Sequence, residues 1–479
     1  MSLAQRGLTG FIYTFGSSII GKIFTFAGGI YLARLLNPSD YGLVAMLYIF
    51  FSISSFLITG GFGLALIREK DIDENDKSTV FFFNLLVAII LYAVIWITAP
   101  SIAKFYDEPI LVILARIMGL DLIFKGLTIV QQSVLKRELK FKELSYVSIF
   151  NAVVVIATAV ILAYLGYGVY ALAIKFVLAS LFSSILLYII NPWKPTIFFD
   201  KKSFKKLFAF GSNVMLLGFI NTISREFHKV VIGKYFSTST LGFFNQGNML
   251  KDNLANTFTD TISTVTFPML AKLQDEKQRL KEGYVKILQV NSFVILPLIT
   301  LLILTAEPFV LGFLGEKWSG TIVFLQILCV SAYVNHFHSV NLNVLKVYGK
   351  GKDYVLQGII RNSLTITGVL IGAQISVEAI AWSLVITEFL QLFVNSYYSN
   401  KYMSFKLKDQ IKSILPVIVV NLFMGVLVFL VSYMKISNHF IQLATMIGVG
   451  GISYISIAHA FKIKAYLELF NLVKVRLKK

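Results

Sequence analysis

The chain has 479 residues, 56% of them hydrophobic, with a mean hydropathy of +0.75 and only 14% charged residues, against about a quarter in an average soluble protein. That balance excludes a water-facing surface of ordinary polarity. A net charge of +19 would suggest a nucleic-acid partner in a soluble chain, but here the charge gathers in short connections between apolar runs, where topology accounts for it.

Runs of about 20 apolar residues recur from end to end, each long enough to cross a hydrocarbon core of roughly 30 Å as a helix. The first follows Arg6 and lacks an Ala-x-Ala-like cleavage site, so it reads as a retained span. In chain order the pattern predicts helices at 11–36, 41–67, 79–104, 109–134, 145–165, 168–191, 207–234, 240–270, 284–305, 319–345, 355–374, 378–399, 412–433 and 439–461. Runs of this length without strict alternation fit helices, which satisfy their own backbone hydrogen bonds in lipid, and exclude a barrel. The expected fold class is an all-α polytopic membrane protein of about 14 spans. Of the 44 Lys and Arg, 31 fall in the N-terminus, the even-numbered connections with their bordering helix ends, and the C-terminal tail; the opposite side, counted the same way, holds at most five, Arg34, Lys104, Lys234, Lys317 and Lys435. Lys and Arg hold loops on the cytoplasmic side, so both termini are expected there.

One basic connection occurs twice. "VLKRELKFKE" at 134–143 returns as "VLKVYGKGKD" at 344–353, with six predicted spans from one copy to the next. Two units of the same orientation, related by an axis along the membrane normal, would produce this. "FGS" at 15–17 returns at 210–212, and "ARLLNPSDYG", ending at Gly42, resembles "GKYFSTSTLG", ending at Gly242. The expected organisation is a six-helix lobe at 1–191, a cytoplasmic linker at 192–206, a second six-helix lobe at 207–399, two extra spans at 400–461 and a basic cytoplasmic tail at 462–479.

Ionisable groups inside spans cost a few kcal/mol and normally face protein or a watery cavity. The first span carries Thr14, Ser18, Gly21, Lys22, Thr25 and Gly29 on one helical face; a cavity lining with a cation, or close packing through small residues, would both give that pattern. In the fourth span Asp121 and Lys125 are four apart and are placed to pair, while Arg116 has room to reach the outer interface. Lys175 and Arg361 lie near span ends, where snorkelling explains them. The seventh span places Asn221, Ser224, Arg225 and His228 on one stripe beside Lys229. The eighth gathers Asn245, Asn248, Asp252, Asn256, Thr259 and Ser263 in one arc, a row of amides and hydroxyls suited to sugar hydroxyls or to a polar helix seam. Lys251 joins the in-span cations, which outnumber the in-span acids Asp121, Glu226, Asp252, Asp260 and Glu388. A cavity of that sign favours an anion such as a pyrophosphate.

Enzyme signatures are missing from the sequence. There is no G-x-x-x-x-G-K-[ST] phosphate loop, and no connection is long enough for a soluble catalytic domain. Cys329 is the sole cysteine, which excludes an intrachain disulfide and a cysteine metal cluster. His336 and His338, two apart on a predicted helix, point to different faces, which argues against shared metal ligation. No cofactor is expected; coupling to protons or sodium is left open, with Glu226, Asp252 and Asp121 as the acids that would serve it.

The hairpin "YLARLLNPSDYGLVAM", the following "GGFGLALIREKD", the "VLKRELKFKE" loop and "LGFFNQ" after the seventh span together resemble the polysaccharide transporter family of the multidrug/oligosaccharidyl-lipid/polysaccharide exporter superfamily. The resemblance is closest to the O-antigen and colanic-acid type flippases. It implies a V-shaped pair of six-helix lobes with alternating access. It also implies transfer of polyprenyl-pyrophosphate-linked oligosaccharide repeat units across a bacterial inner membrane, with the polymerase and export machinery of the same pathway as partners and no nucleic acid. On this reading Lys22, Lys125, Arg225, Lys229, Lys251 and Arg116 would hold the headgroup, and Asn245, Asn248 and Asn256 the sugar. A multidrug exporter of the same superfamily is the alternative, and a membrane glycosyltransferase or polymerase a more distant one.

Overall fold

The computed structural model describes residues 21–470 except 60, 70, 197, 198, 272, 273, 275, 435 and 469, and at 209–217, 254–269 and 271 the backbone alone. All regular structure among the described residues is helical. After α1 (21–35) come α2 (Pro38–Thr59), α3 (Phe62–Arg68), α4 (Glu74–Tyr106), α5 (Leu111–Arg137), α6 (Phe141–Tyr164), α7 (Val169–Ile190), α8 (Lys201–Tyr235) and α9 (Thr238–Ala271). Then follow α10 (Lys277–Leu304), α11 (Ala306–Phe309), α12 (Thr321–Val347), α13 (Gly351–Ala373), α14 (Val377–Met403), α15 (Leu407–Ser432) and α16 (His439–Ala460). Ten helices among the described residues are long and apolar enough to cross a membrane. The predicted spans outside that set, at 11–36, 109–134, 207–234 and 240–270, include the segments richest in polar side chains.

Local chemistry fixes the helix ends. Asp73 and Asp76 form a reciprocal capping box at α4, each carboxylate accepting from the other's amide at 2.8 and 3.3 Å. Ser376 caps α14 by accepting from the Ala379 amide at 3.1 Å, and Asn438 caps α16. Two predicted boundaries differ. The expected helix at 41–67 breaks before Phe62, where Gly61 offers no side chain to hold the helix; Phe62 then packs on Phe83 with ring centres 4.6 Å apart. The stretch expected as a loop before 319 instead forms α11, a π turn at Val310–Leu314 and a 3₁₀ turn at Glu316–Trp318, which buries Trp318 completely.

The doubled loop is the same turn in both copies. Lys140 N donates to Leu135 O and Lys350 N to Leu345 O, each at 2.9 Å, the six-to-one bond that closes a helix C-terminus. The left-handed residue inside it is Leu139 (φ 57°) in the first copy and Gly349 (φ 61°) in the second. Arg137 of the first copy donates from Nη1 to Leu66 O at 3.0 Å and also to Glu69 O, satisfying carbonyls at the end of α3. Part of the basic character of this loop is therefore structural.

The chain divides into two compact units, 1–242 and 243–479. In the first, α5 packs on α4, α7, α2 and α3, and α8 lies along α2. The division places α8, which the repeat pattern groups with the second lobe, in the first unit. The two echoed hairpins meet within this unit. A Cβ on Gly42 would stand 1.9 Å from Thr238 O, and a Cβ on Gly242 would stand 1.9 Å from Pro38 O. Each helix start thus rests on the other's bare backbone at positions related by the repeat, a closeness only glycine permits. In the second unit α12 packs on α14 and α10, α14 on α13, and α10 and α16 on α15.

Candidate functional site: a charged cluster in the first unit

The charged residues of α5 and α8 converge across α2 and α7. Lys125 Nζ lies 2.7 Å from Asp121 Oδ2, one turn back, and donates to Ser55 Oγ of α2 at 2.8 Å. It also sits 5.2 Å from the centre of the Phe176 ring on α7. Phe176 in turn meets Tyr48 of α2 edge-on at 6.3 Å, and the far side of this aromatic pair carries the second ion pair. There Lys229 Nζ lies 4.3 Å from the Tyr48 ring centre and 2.7 Å from Glu226 Oε2. Arg225 Nε meets the other oxygen, Glu226 Oε1, at 3.0 Å.

Burial is graded across the cluster. The acids are the deep members: the Asp121 side chain is 2% exposed and Glu226 6%. Lys229 is nearly as buried at 10%, whereas the Arg225 side chain is 70% exposed. The buried carboxylates offset the desolvation of their cations, and three cations stand over two acids. One guanidinium is presented outward with most of its planar donor fork open. Chemically the arrangement is a cationic surface on an acidic footing, suited to a phosphate-bearing group at Arg225.

The other candidates are distributed as follows. Arg116, nine residues before Lys125 and so about 13 Å away along the axis, stacks 4.5 Å over Trp96 of α4, and its Nε meets no hydrogen-bond partner among the described residues. Lys22 is exposed at the start of the described part of α1. In the second unit Lys251 Nζ pairs with Asp252 Oδ1 at 3.3 Å, and Asn248 donates to Asp252 Oδ2 at 3.0 Å. Asn245 is half-buried on the same helix; the side chains of Asn256, Thr259, Asp260 and Ser263 lie outside the described residues. His336 and His338 do separate, His336 to Ser292 of α10 and His338 to α14. No three His, Cys, Asp or Glu among the described residues gather to hold a metal. Tyr48, Ser55 and Phe176 carry no mark in the sequence, because their role comes from α2 and α7 lying against α5 and α8. Asp121→Asn is expected to loosen Lys125 from its two contacts and lower thermal stability in detergent by about 1–3 kcal/mol; a differential scanning measurement checks it.

The arrangement of these helices is a fold also seen in solved membrane transporters. The chain superimposes on the lipid II flippase MurJ in its inward closed conformation with a TM-score of 0.78 and 18% identity, covering 97% of this chain and all of that one. A multidrug resistance MATE family transporter in an inward-facing conformation matches with a TM-score of 0.62 and 16% identity, over 82% of this chain and 98% of that one. The model of the polysaccharide biosynthesis protein family matches residues 31–323, and the chain belongs to that family. It is similar to the teichuronic acid biosynthesis protein TuaB of Bacillus subtilis (strain 168), 24% identical over 85% of this chain and 84% of TuaB. The succinoglycan biosynthesis transport protein ExoT of Rhizobium meliloti (strain 1021) is 26% identical over 73% of this chain and 72% of ExoT. The lipopolysaccharide biosynthesis protein WzxC of Escherichia coli (strain K12) is 23% identical over 62% of this chain and 61% of WzxC.

Proposed function

We propose that the protein moves polyprenyl-pyrophosphate-linked oligosaccharide repeat units across a bacterial inner membrane by alternating access, with both termini in the cytoplasm and the polymerase and export machinery of the same pathway as partners. The observation that supports this most directly is the cationic cluster inside a polysaccharide-family transporter, where Arg225 is exposed on a buried carboxylate. A pyrophosphate cannot enter hydrocarbon without replacement of its hydration. Arg225, Lys125 and Lys229, with Lys22, Arg116 and Lys251, would supply that replacement, and Asn245, Asn248 and Asn256 would bind sugar. Glu226, Asp252 and Asp121 act first as counter-ions that keep the cations charged, and are the acids through which an ion gradient would act at this site. The two lobes at 1–191 and 207–399 would be the rocking bodies, with 400–461 appended.

The test is surface glycan in cells carrying Lys22→Gln together with Arg225→Gln. Export is expected to fall at least tenfold, with the protein still inserted at wild-type level. Normal export in that strain overturns the assignment. Altered drug susceptibility on deletion with intact glycan would transfer the reading to multidrug export, the activity named for the MATE transporter of similar fold.

A further inference from the structure

The second unit contains a buried histidine beside a half-buried acid that the cluster above does not use. His338 on α12 and Glu388 on α14 face each other with Nε2 and Oε2 3.1 Å apart. On the other side of the ring, Nδ1 lies 2.8 Å from Nδ2 of Asn395, two turns along α14 from Glu388. With the amide nitrogen as donor, Nδ1 accepts and the ring proton sits on Nε2, which lies 3.1 Å from the carboxylate without forming an aligned hydrogen bond to it. The imidazole is then neutral and the His–Glu pair carries one negative charge.

The surroundings are polar but incompletely matched. The Oδ1 of the same Asn395 amide is buried and meets no hydrogen-bond partner among the described residues, and neither do Gln391 Nε2 and Ser396 Oγ. Asn395 and Gln391 are 2% and 3% exposed. Buried polar atoms left in this condition signal a missing water, ion or proton. About one turn further along, the same interface is well matched: Asn341 accepts from Tyr284 at 2.5 Å and from Ser399, and donates to Gln410 at 3.3 Å.

We propose that His338, Glu388 and Asn395 form a proton-binding site. A proton arriving at Nδ1 makes the ring an imidazolium; the Asn395 amide turns over, so that Oδ1 accepts the new N–H in place of Nδ2. Glu388 remains a carboxylate and becomes the counter-ion on the Nε2 side. One proton enters, the charge of the pair goes from minus one to zero, and the orphaned carbonyl gains a partner. The charged neighbours of the pair are Lys251 of α9 and Arg361 of α13 on the Glu388 side, and His336 is the titratable neighbour on His338's own helix. His336 is an internal control, since its Nε2 meets the Ser292 hydroxyl at 2.9 Å where His338 meets a carboxylate. As a point at which transport is driven by protons, the site rests on the transport reading above; as a proton-binding site it stands without it.

The experiment uses the full-length protein in nanodiscs with ¹⁵N-labelled histidine. Five histidines are present, and His338→Gln assigns the relevant signal. The expected spectrum shows His338 as the neutral Nε2–H tautomer at high pH and as imidazolium at low pH, while the His336 signal keeps one form across the same series. Glu388→Gln and, separately, Asn395→Leu should each weaken proton binding by about tenfold, which moves the midpoint down by about one pH unit. If Glu388→Gln does not fold, Asn395→Leu alone decides. A His338 ring that stays neutral throughout, a midpoint indifferent to these substitutions, or a signal moved by sodium at fixed pH overturns the site. In cells, collapsing the pH gradient should reduce glycan export by the wild type and leave the residual export of Asn395→Leu unchanged. Wild-type export unaffected by that collapse overturns coupling and leaves proton binding intact. Failure of the ¹⁵N arm overturns the site whether or not glycan is exported.

Discussion

Glu226→Ala is expected to destabilise the first unit more than any other single truncation in the charged cluster. Glu226 is the shared acid: one oxygen holds Lys229 at 2.7 Å and the other holds Arg225 at 3.0 Å. Removing it leaves the Lys229 ammonium buried over Tyr48 with no counter-charge, and breaking a buried pair from one side costs about 3–5 kcal/mol. Removing Lys229 instead leaves Glu226 with Arg225, which already holds its other oxygen at 3.0 Å, so Lys229→Met should cost less. The double variant should recover part of the Glu226→Ala loss, with a coupling of about 1–3 kcal/mol in a double-mutant cycle. Thermal unfolding of detergent-solubilised protein measures all three. Equal and small losses in both single variants would mean that water, rather than Glu226, solvates Lys229.

The second large effect is steric. Gly42→Ala places a methyl carbon where Thr238 O stands 1.9 Å away, and Gly242→Ala does the same against Pro38 O. Both obstacles are backbone, so no rotamer change relieves them. Overpacking a tight interior contact costs about 1–3 kcal/mol and sometimes more, and these two substitutions should lie at or above the top of that range. The readout is the yield of folded protein from membranes and its resistance to limited proteolysis. Gly448→Ala, where a Cβ would meet nothing within 4 Å, is the matched control and should behave as wild type. Because parting the helix starts for one methyl also makes room for the other, the double alanine variant should cost less than the two single losses added together.

Much of this architecture was legible in sequence because membrane spans announce themselves by length and composition. The Asp121–Lys125 pair was legible too, since four residues on a helix fix the geometry locally. The partners across helices were not. Nothing in the chain marks Tyr48, Ser55 or Phe176, whose significance arises only when α2 and α7 pack beside α5 and α8. Spacing on α8 grouped Arg225 with the buried stripe of Ser224 and His228, but the structure turns its head group outward while Glu226 and Lys229 go inward. Glu388 stood out only as an isolated acid in a span; its pairing with His338 is a long-range contact between α14 and α12. The echoed hairpins at Gly42 and Gly242 suggested duplication, and their mutual contact was the part no alignment of one half on the other could supply.

The doubled turn after α5 and α12 differs in one respect that bears on assembly. In the later copy a glycine occupies the left-handed position, so that corner closes without backbone cost. The earlier copy asks the same of Leu139, at about 1–2 kcal/mol of backbone cost, and its neighbour Arg137 reaches out to α3 for support. The α5–α6 corner should therefore lean on α3, already made when it forms, whereas the α12–α13 corner turns freely at its glycine and is then clasped by Tyr402 and Lys401 of the later α14.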